Sequence, residues 1–267
     1  PVTSSEPGTA YIDYVGSKLA AYTTMAEFIR NKGWTRPEIL SGEEGIVDIT
    51  NGWYPLTRLQ QSPDFVKNNT LLNPEYRVEI IDGVNAGGKT IDTKKALFVT
   101  ALALAGTYVP AEHARVSFFN RVRFRIKQTG MYETSALREE ISDLESALKA
   151  LGTPILLGLD ETFTSTNSLE GEAMTYGLVQ RLAQDGMARA IITSHYPALQ
   201  EIAHDPHVPG VKFSHFEFQR DGSRLVFSYQ KQNGPNTRGD YAIAIAENEQ
   251  LHPGILQHAK QYAGKSK

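Results

Sequence analysis

The apolar positions of this chain change period several times, and each change predicts a different element. Between about Tyr11 and Asn31, Tyr14, Leu19, Tyr22, Met25, Phe28 and Ile29 recur at helical steps, and Gly33 then Pro37 end the helix. From Ile46 the pattern becomes strand and loop: Val47-Asp48-Ile49-Thr50, a turn at Asn51-Gly52, then Trp53-Tyr54-Pro55. Tyr76-Arg77-Val78-Glu79-Ile80-Ile81 is a β-branched run. A glycine-rich loop follows it, then an Ala/Leu-rich helix from Thr90 towards Tyr108, stopped by Gly106 and Pro110.

Residues 115–127 alternate, with Arg121, Arg123, Arg125 and Lys127 facing one way and Val122, Phe124 and Ile126 the other. That predicts a half-buried strand whose basic face is either solvated or a surface for DNA or a partner. Leu137, Ile141, Leu144, Leu148 and Leu151 form an apolar seam on one helix, capped by Gly152 and stopped before Pro154. Ile155 to Leu159 is wholly apolar, as a parallel strand buried on both faces should be, and Ala190-Ile191-Ile192-Thr193 is a second such strand. A helix over about Ser168 to Gln184 lies between them. Phe213 to Gln219 and Leu225 to Gln230 flank Asp221-Gly222, a hairpin signal, and a last helix starts near Pro253. Strands alternating with helices through the middle predict an α/β sheet.

Composition narrows the class without naming a function. The 267 residues, 40% hydrophobic and 21% charged, suit one large domain or a main domain with a small appendage. A net charge of −3 provides no global attraction to nucleic acid or anionic membrane. Without cysteine there are no disulfides, thiolate metal sites or cysteine nucleophiles, which fits a cytoplasmic protein. No apolar run reaches the roughly 18 residues of a membrane span, and no signal peptide is visible. Pro1 in place of Met is read as a processed or excised start.

The chemistry is concentrated in three short segments. Gly83-Val84-Asn85-Ala86-Gly87-Gly88-Lys89-Thr90 is a complete G-x-x-x-x-G-K-[ST] phosphate loop between a strand and a helix. Its glycines let backbone N–H groups turn towards phosphate oxygens, Lys89 places a charge on the β/γ-phosphates, and the Thr90 hydroxyl takes a Mg²⁺ position. The helix N-terminus adds partial positive charge. The apolar strand Ile155–Leu159 ends in Asp160-Glu161, delivering two carboxylates to the edge where open α/β sheets bind ligands. Asp160 is expected to hold Mg²⁺, and Glu161 to orient and deprotonate an attacking water. The next apolar strand ends Thr193-Ser194-His195, where His195 is either a structural histidine or a donor reaching the γ-phosphate.

Together these residues resemble the ATPase domain of the MutS family of DNA mismatch-repair proteins, within the wider ABC-type ATPases. The family loop usually reads G-P-N-M-G-G-K-[ST], and its N-x-G-G-K core stands here as Asn85-Ala86-Gly87-Gly88-Lys89. Asp160-Glu161, Thr164-Ser165-Thr166, Ser194-His195-Tyr196 and Tyr108-Val109-Pro110-Ala111 are similar to further family motifs. The resemblance implies a P-loop NTPase fold of the ABC/MutS type. It would have a central, mostly parallel sheet flanked by helices, an antiparallel β subdomain and an N-terminal helical segment. Residues 1–45 would be the end of the family's lever region and 46–267 the ATPase domain.

The same resemblance implies Mg²⁺-dependent ATP binding and hydrolysis by the motor of a DNA-repair or DNA-structure-binding protein. Phe65, in Phe65-Val66-Lys67-Asn68, would stack on adenine, with ordinary core packing as the alternative. Gly83, Asn85, Ala86, Gly87, Gly88 and Lys89 would hold the phosphates, Thr90 and Asp160 the metal, with Glu161 as base and His195 assisting. Thr134-Ser135 falls where the family reaches the nucleotide of an opposite subunit; the alternative is that Ser135 caps its own helix. The implied partners are ATP or ADP, a second copy in a nucleotide-dependent homodimer, and DNA through domains outside this chain. A nucleotide-gated clamp with little turnover and another ABC-type ATPase are the other readings. The acid Glu161 favours hydrolysis over the clamp, and the missing L-S-G-G-Q signature argues against a transporter.

Several positions depart from the family. Val84 and Ala86 replace the usual Pro and Met, and Asn120 stands where Asp is frequent. Ala136-Leu137-Arg138-Glu139-Glu140 occupies a usually apolar Phe-Met-Val-Glu-Met stretch, and Thr162-Phe163 replaces Ile-Gly. They mark a divergent branch.

Overall fold

A computed structural model describes residues 7–41, 44–57, 66–83, 87–125, 133–205, 207–221, 224–235 and 241–263. The apolar runs pair into two sheets. In the larger one, β10 (Arg224–Asn233), β9 (Val211–Asp221), β4 (Val78–Asp82), β8 (Ala188–Thr193), β7 (Ile155–Asp160) and β6 (Arg121–Arg125) lie side by side in that order. All neighbours are parallel except the β9–β10 hairpin. The smaller sheet has the order β1 (Glu38–Leu40), β5 (His113–Ser117), β2 (Val47–Gly52), β3 (Asn68–Leu72), with β2 antiparallel to both its neighbours.

Helices cover both faces of the large sheet, which is why β7 and β8 are buried at every position and read as unbroken apolar runs. On one face Leu144 and Ala147 of α3 (Glu133–Leu148) and Leu178, Val179 and Leu182 of α4 (Ser168–Gln184) pack with Ile155, Leu157 and Leu159. On the other, Ala96, Leu97, Val99 and Ala103 of α2 (Lys89–Leu104) pack with Ile81, Leu156 and Ile191 and with Val47, Ile49 and Val116 of the small sheet. The second face is tight. A Cβ on Gly158 would come within 2.8 Å of Phe124 and 2.9 Å of Leu97, so glycine lets α2 settle close against β7. Helix α4 starts where Asn167 accepts the Glu170 amide at 3.0 Å, a side-chain N-cap.

Several expectations are corrected. Residues 115–125 are not one strand: Arg115 belongs to β5 in the small sheet and Arg121 to β6 in the large one, while Ile126 and Lys127 lie outside the described residues. Two of the basic residues of β6 reach α3, Arg123 donating to Ser146 at 3.0 Å and Arg125 to Glu140 at 2.9 Å, while Arg121 is exposed. The Asn51-Gly52 turn is instead an irregularity within β2, whose register shifts between Ile49 and Gly52 while Asn51 takes φ +48°. Helix α3 begins at Glu133, so Ser135 lies within its first turn and not at its cap, and its last residue is Leu148.

Helix α1 (Pro7–Lys32) has the expected extent, but its periodicity does not mark a face packed on this core. Tyr11, Ile12, Tyr14, Leu19 and Tyr22 are exposed, whereas Ile29 is buried. The chain after α1 is fixed by mutual Thr35–Val109 backbone bonds of 3.0 and 2.9 Å and by pairing of β1 with β5. Beyond the predicted elements there is a 3-10 segment at Pro197–His204 and a short helix α5 (Tyr241–Asn248) before α6 (Pro253–Ala263). No helix among the described residues is long and apolar enough to cross a membrane.

Candidate nucleotide and catalytic site

Strands β4, β7 and β8 are neighbours, so their C-terminal ends bring Gly83, Asp160 and Thr193 to one edge of the sheet. Gly83 and Gly88 bracket the loop with φ of +117° and +110°, values that suit glycine alone. Gly87 lies between them, and Lys89 and Thr90 open α2. Val84, Asn85 and Ala86 lie outside the described residues, as does Phe65.

The Lys89 ammonium is almost fully buried, donates to the Gly83 carbonyl and stands 4.0 Å from a Glu161 oxygen. Burial pulls it below the ordinary lysine value, while Glu161, Asp82 and Asp160 pull it back up. Thr90 donates its hydroxyl to both Asp160 oxygens, at 2.9 and 3.1 Å. Thr193, opposite Asp160 in the β7–β8 register, donates to Oδ1 at 2.7 Å and accepts the Glu161 amide at 3.0 Å. One threonine thus fixes both carboxylate-bearing residues. Glu161 itself has φ +48°. His195, two residues past the end of β8, is exposed, with its ring 5.0 Å from that of Tyr196. The Ser135 side chain is outside the described set.

The donor set suits Mg²⁺. A hydroxyl and a carboxylate side by side offer hard oxygen ligands and leave the remaining positions to water and phosphate, as magnesium prefers. No cluster of three or more His, Cys, Asp or Glu that could cage a metal occurs among the described residues.

Residues that the sequence did not single out tie α2 to β4 and β10. Glu79 of β4, Asp92 and Lys95 of α2, and Lys231 of β10 form a buried ionic cluster. Lys231 lies 3.0 Å from Glu79 and 2.8 Å from Asp92, and Lys95 lies 2.6 Å from Asp92. Asn68 joins it: Lys95 donates to its carbonyl at 3.0 Å, and its side chain accepts the Lys231 amide at 2.8 Å. Burial is the largest single influence and favours the neutral forms, but Lys231 and Lys95 together hold the Asp92 carboxyl low, and Lys231 and Lys212 with the Ser214 hydrogen bond hold that of Glu79 low. The same burial pushes Lys95 down to about 8. A charged Glu79 inside the apolar run Val78–Ile81 was the available signal, since a carboxylate there needs a buried partner.

The sheet order, with the loop after β4 and the paired carboxylates after β7, is that of a P-loop ATPase-type domain. Residues 79–266 match the family described as MutS domain V, and the chain belongs to that family. It is 24% identical over 241 residues to the DNA mismatch repair protein MutS of Persephonella marina, covering 90% of this chain and 27% of that protein. Similar matches are the MutS proteins of Oleidesulfovibrio alaskensis (24% identical, 97% of this chain, 29% of that protein) and Aquifex pyrophilus (26%, 94% and 28%). The chain therefore spans a little over a quarter of the length of these relatives.

Proposed function

We propose that this domain binds Mg²⁺-ATP at Gly83–Thr90 and hydrolyses it, driving a larger DNA-repair protein. The observation that carries the reading is the contact of Thr90 with Asp160 across 70 residues of sequence, beside a buried Lys89 facing Glu161. Phosphoryl transfer asks mostly for positioning and charge neutralisation, and these residues can supply both. Lys89 neutralises β/γ-phosphate charge, as Gly83, Asn85, Ala86, Gly87 and Gly88 form the loop that cradles the phosphates. Thr90 and Asp160 hold the metal, which when bound neutralises phosphate charge. Glu161 takes the proton of the attacking water, and His195 donates to the γ-phosphate.

Phe65 stacks on adenine, and Ser135 reaches the nucleotide of a second copy. Residues 1–45 form the end of a lever and residues 46–267 the ATPase domain, joined where β1 pairs with β5. DNA is engaged through parts of the protein outside this chain, and the setting is cytoplasmic. The test is Glu161→Gln, which keeps the shape but not the basicity. It should bind ATP as the parent does while turnover falls by about 10²–10⁴-fold. A variant that keeps more than about a tenth of the parental rate places the base elsewhere.

A further inference from the structure

The turn that carries Glu161 is an improbable piece of backbone. Glu161 has φ +48° and Phe163 has φ +56°, and Phe163 is bulky and nearly buried. A non-glycine residue is rarely left-handed, and a large one more rarely, so the surroundings must hold this conformation.

Those surroundings hold it from three places. From the end of β8, Thr193 accepts the Glu161 amide with both its carbonyl (3.2 Å) and its hydroxyl (3.0 Å). From α3, the buried Glu140 carboxylate accepts the Phe163 amide at 2.8 Å, and Arg125 of β6 neutralises that carboxylate at 2.9 Å. From beyond β8, the buried Tyr196 hydroxyl donates to the Phe163 carbonyl at 2.9 Å. Burial, with Glu140, Glu172 and Glu161 nearby, pushes the phenol up, so it stays a donor. Space is reserved for this last bond. A Cβ on Gly171 of α4 would lie 2.3 Å from the Tyr196 hydroxyl and 2.5 Å from the Phe163 carbonyl.

We propose that Glu140 and Tyr196 are positioning residues that clamp the left-handed turn and so aim the Glu161 carboxylate at the attacking water. The proposal rests on the reading of Glu161 as the base. If the clamp is lost, Phe163 relaxes towards negative φ and the Glu161 side chain swings, although the phosphate loop is untouched. Misplacement of a reacting group by about 1 Å can cost on the order of 10²-fold in rate.

The experiment is single-turnover ATP hydrolysis, paired with titration of a non-hydrolysable ATP analogue. Tyr196→Phe, which removes one oxygen only, and Glu140→Leu should each slow hydrolysis by about 10- to 100-fold with analogue affinity unchanged. Glu140→Gln keeps an acceptor for the Phe163 amide and should retain most of the rate. Gly171→Ala should resemble Tyr196→Phe. Glu161→Gln runs alongside. If it turns over like the parent, the base reading fails and the proposal falls with it. If it is inactive while Tyr196→Phe and Glu140→Leu hydrolyse at the parental rate, the clamp alone is refuted. Loss of analogue affinity in step with rate also refutes it, because the turn would then serve binding. Should Glu140→Leu fail to fold, Tyr196→Phe decides.

Discussion

Asp92→Asn probes the ionic cluster that ties α2 to β4 and β10. The amide preserves shape but removes one of two buried carboxylates, leaving Glu79 alone to face Lys95, Lys212 and Lys231. Asp92 is 3% exposed and contacts Lys95 at 2.6 Å and Lys231 at 2.8 Å, so water cannot replace it. Removing one partner of a buried pair costs about 3–5 kcal/mol, much more than an exposed pair contributes. At roughly 2–4 °C per kcal/mol for a chain of this size, melting should fall by on the order of 10 °C.

The deficit should also depend on pH. Lys95, pushed down to about 8 from 10.5, releases its proton in the folded protein before the unfolded chain does. Between those values the unfolded state binds more protons, so the contribution of this residue to stability rises with pH. Asp92 is the charge that holds Lys95 up. In the variant the window therefore opens at lower pH, and the deficit should be smaller at pH 8 than at pH 6. Thermal unfolding of both proteins at the two pH values is the assay. A shift under about 2 °C, the size of a surface substitution, and equal at both pH values, would refute the reasoning.

Three further outcomes are expected. Lys89→Ala removes a buried charge of the proposed phosphate loop and should abolish ATP binding at micromolar nucleotide in a calorimetric titration; unchanged affinity would sink the phosphate-loop assignment. Phe65→Ala should weaken ATP binding without altering the melting temperature, whereas a large loss of stability at unchanged affinity would make Phe65 a core residue. Sedimentation of Glu161→Gln should reveal an ATP-dependent dimer that Ser135→Ala abolishes, and a monomer with and without ATP at tens of micromolar would remove the composite site for this domain.

The site was legible where chemistry is local. Gly83–Thr90 is a motif of consecutive residues between a strand and a helix, and Asp160-Glu161 ends its own apolar strand, so spacing along the chain revealed both. The apolar runs Ile155–Leu159 and Ala190–Thr193 were equally plain within the strands Ile155–Asp160 and Ala188–Thr193, because a strand covered on both faces has no polar side to confuse its pattern. Periodicity misled where it does not encode a partner. The apolar positions of α1 marked a helix but not a face packed on this core, and the alternation from Arg115 to Arg125 runs across two strands in different sheets.

What only the tertiary structure decided are the contacts between residues remote in sequence. Thr193 fixes Asp160 across 33 residues, Glu140 holds Phe163 across 23, and Lys231 reaches Asp92 across 139. A glutamate or lysine is ordinarily a surface residue, and nothing beside Glu140 or Lys231 along the chain says otherwise; Thr193 ends a strand that reads as buried, but its partner is not legible there. The meaning of each comes from burial, which makes an unpaired charge or donor so costly that a partner must be supplied from another element. The sequence by itself determined that a G-x-x-x-x-G-K-T segment and two adjacent carboxylates exist and lie at strand ends; the packing of β6, α3, α4 and β8 determined the backbone of the turn that carries Glu161.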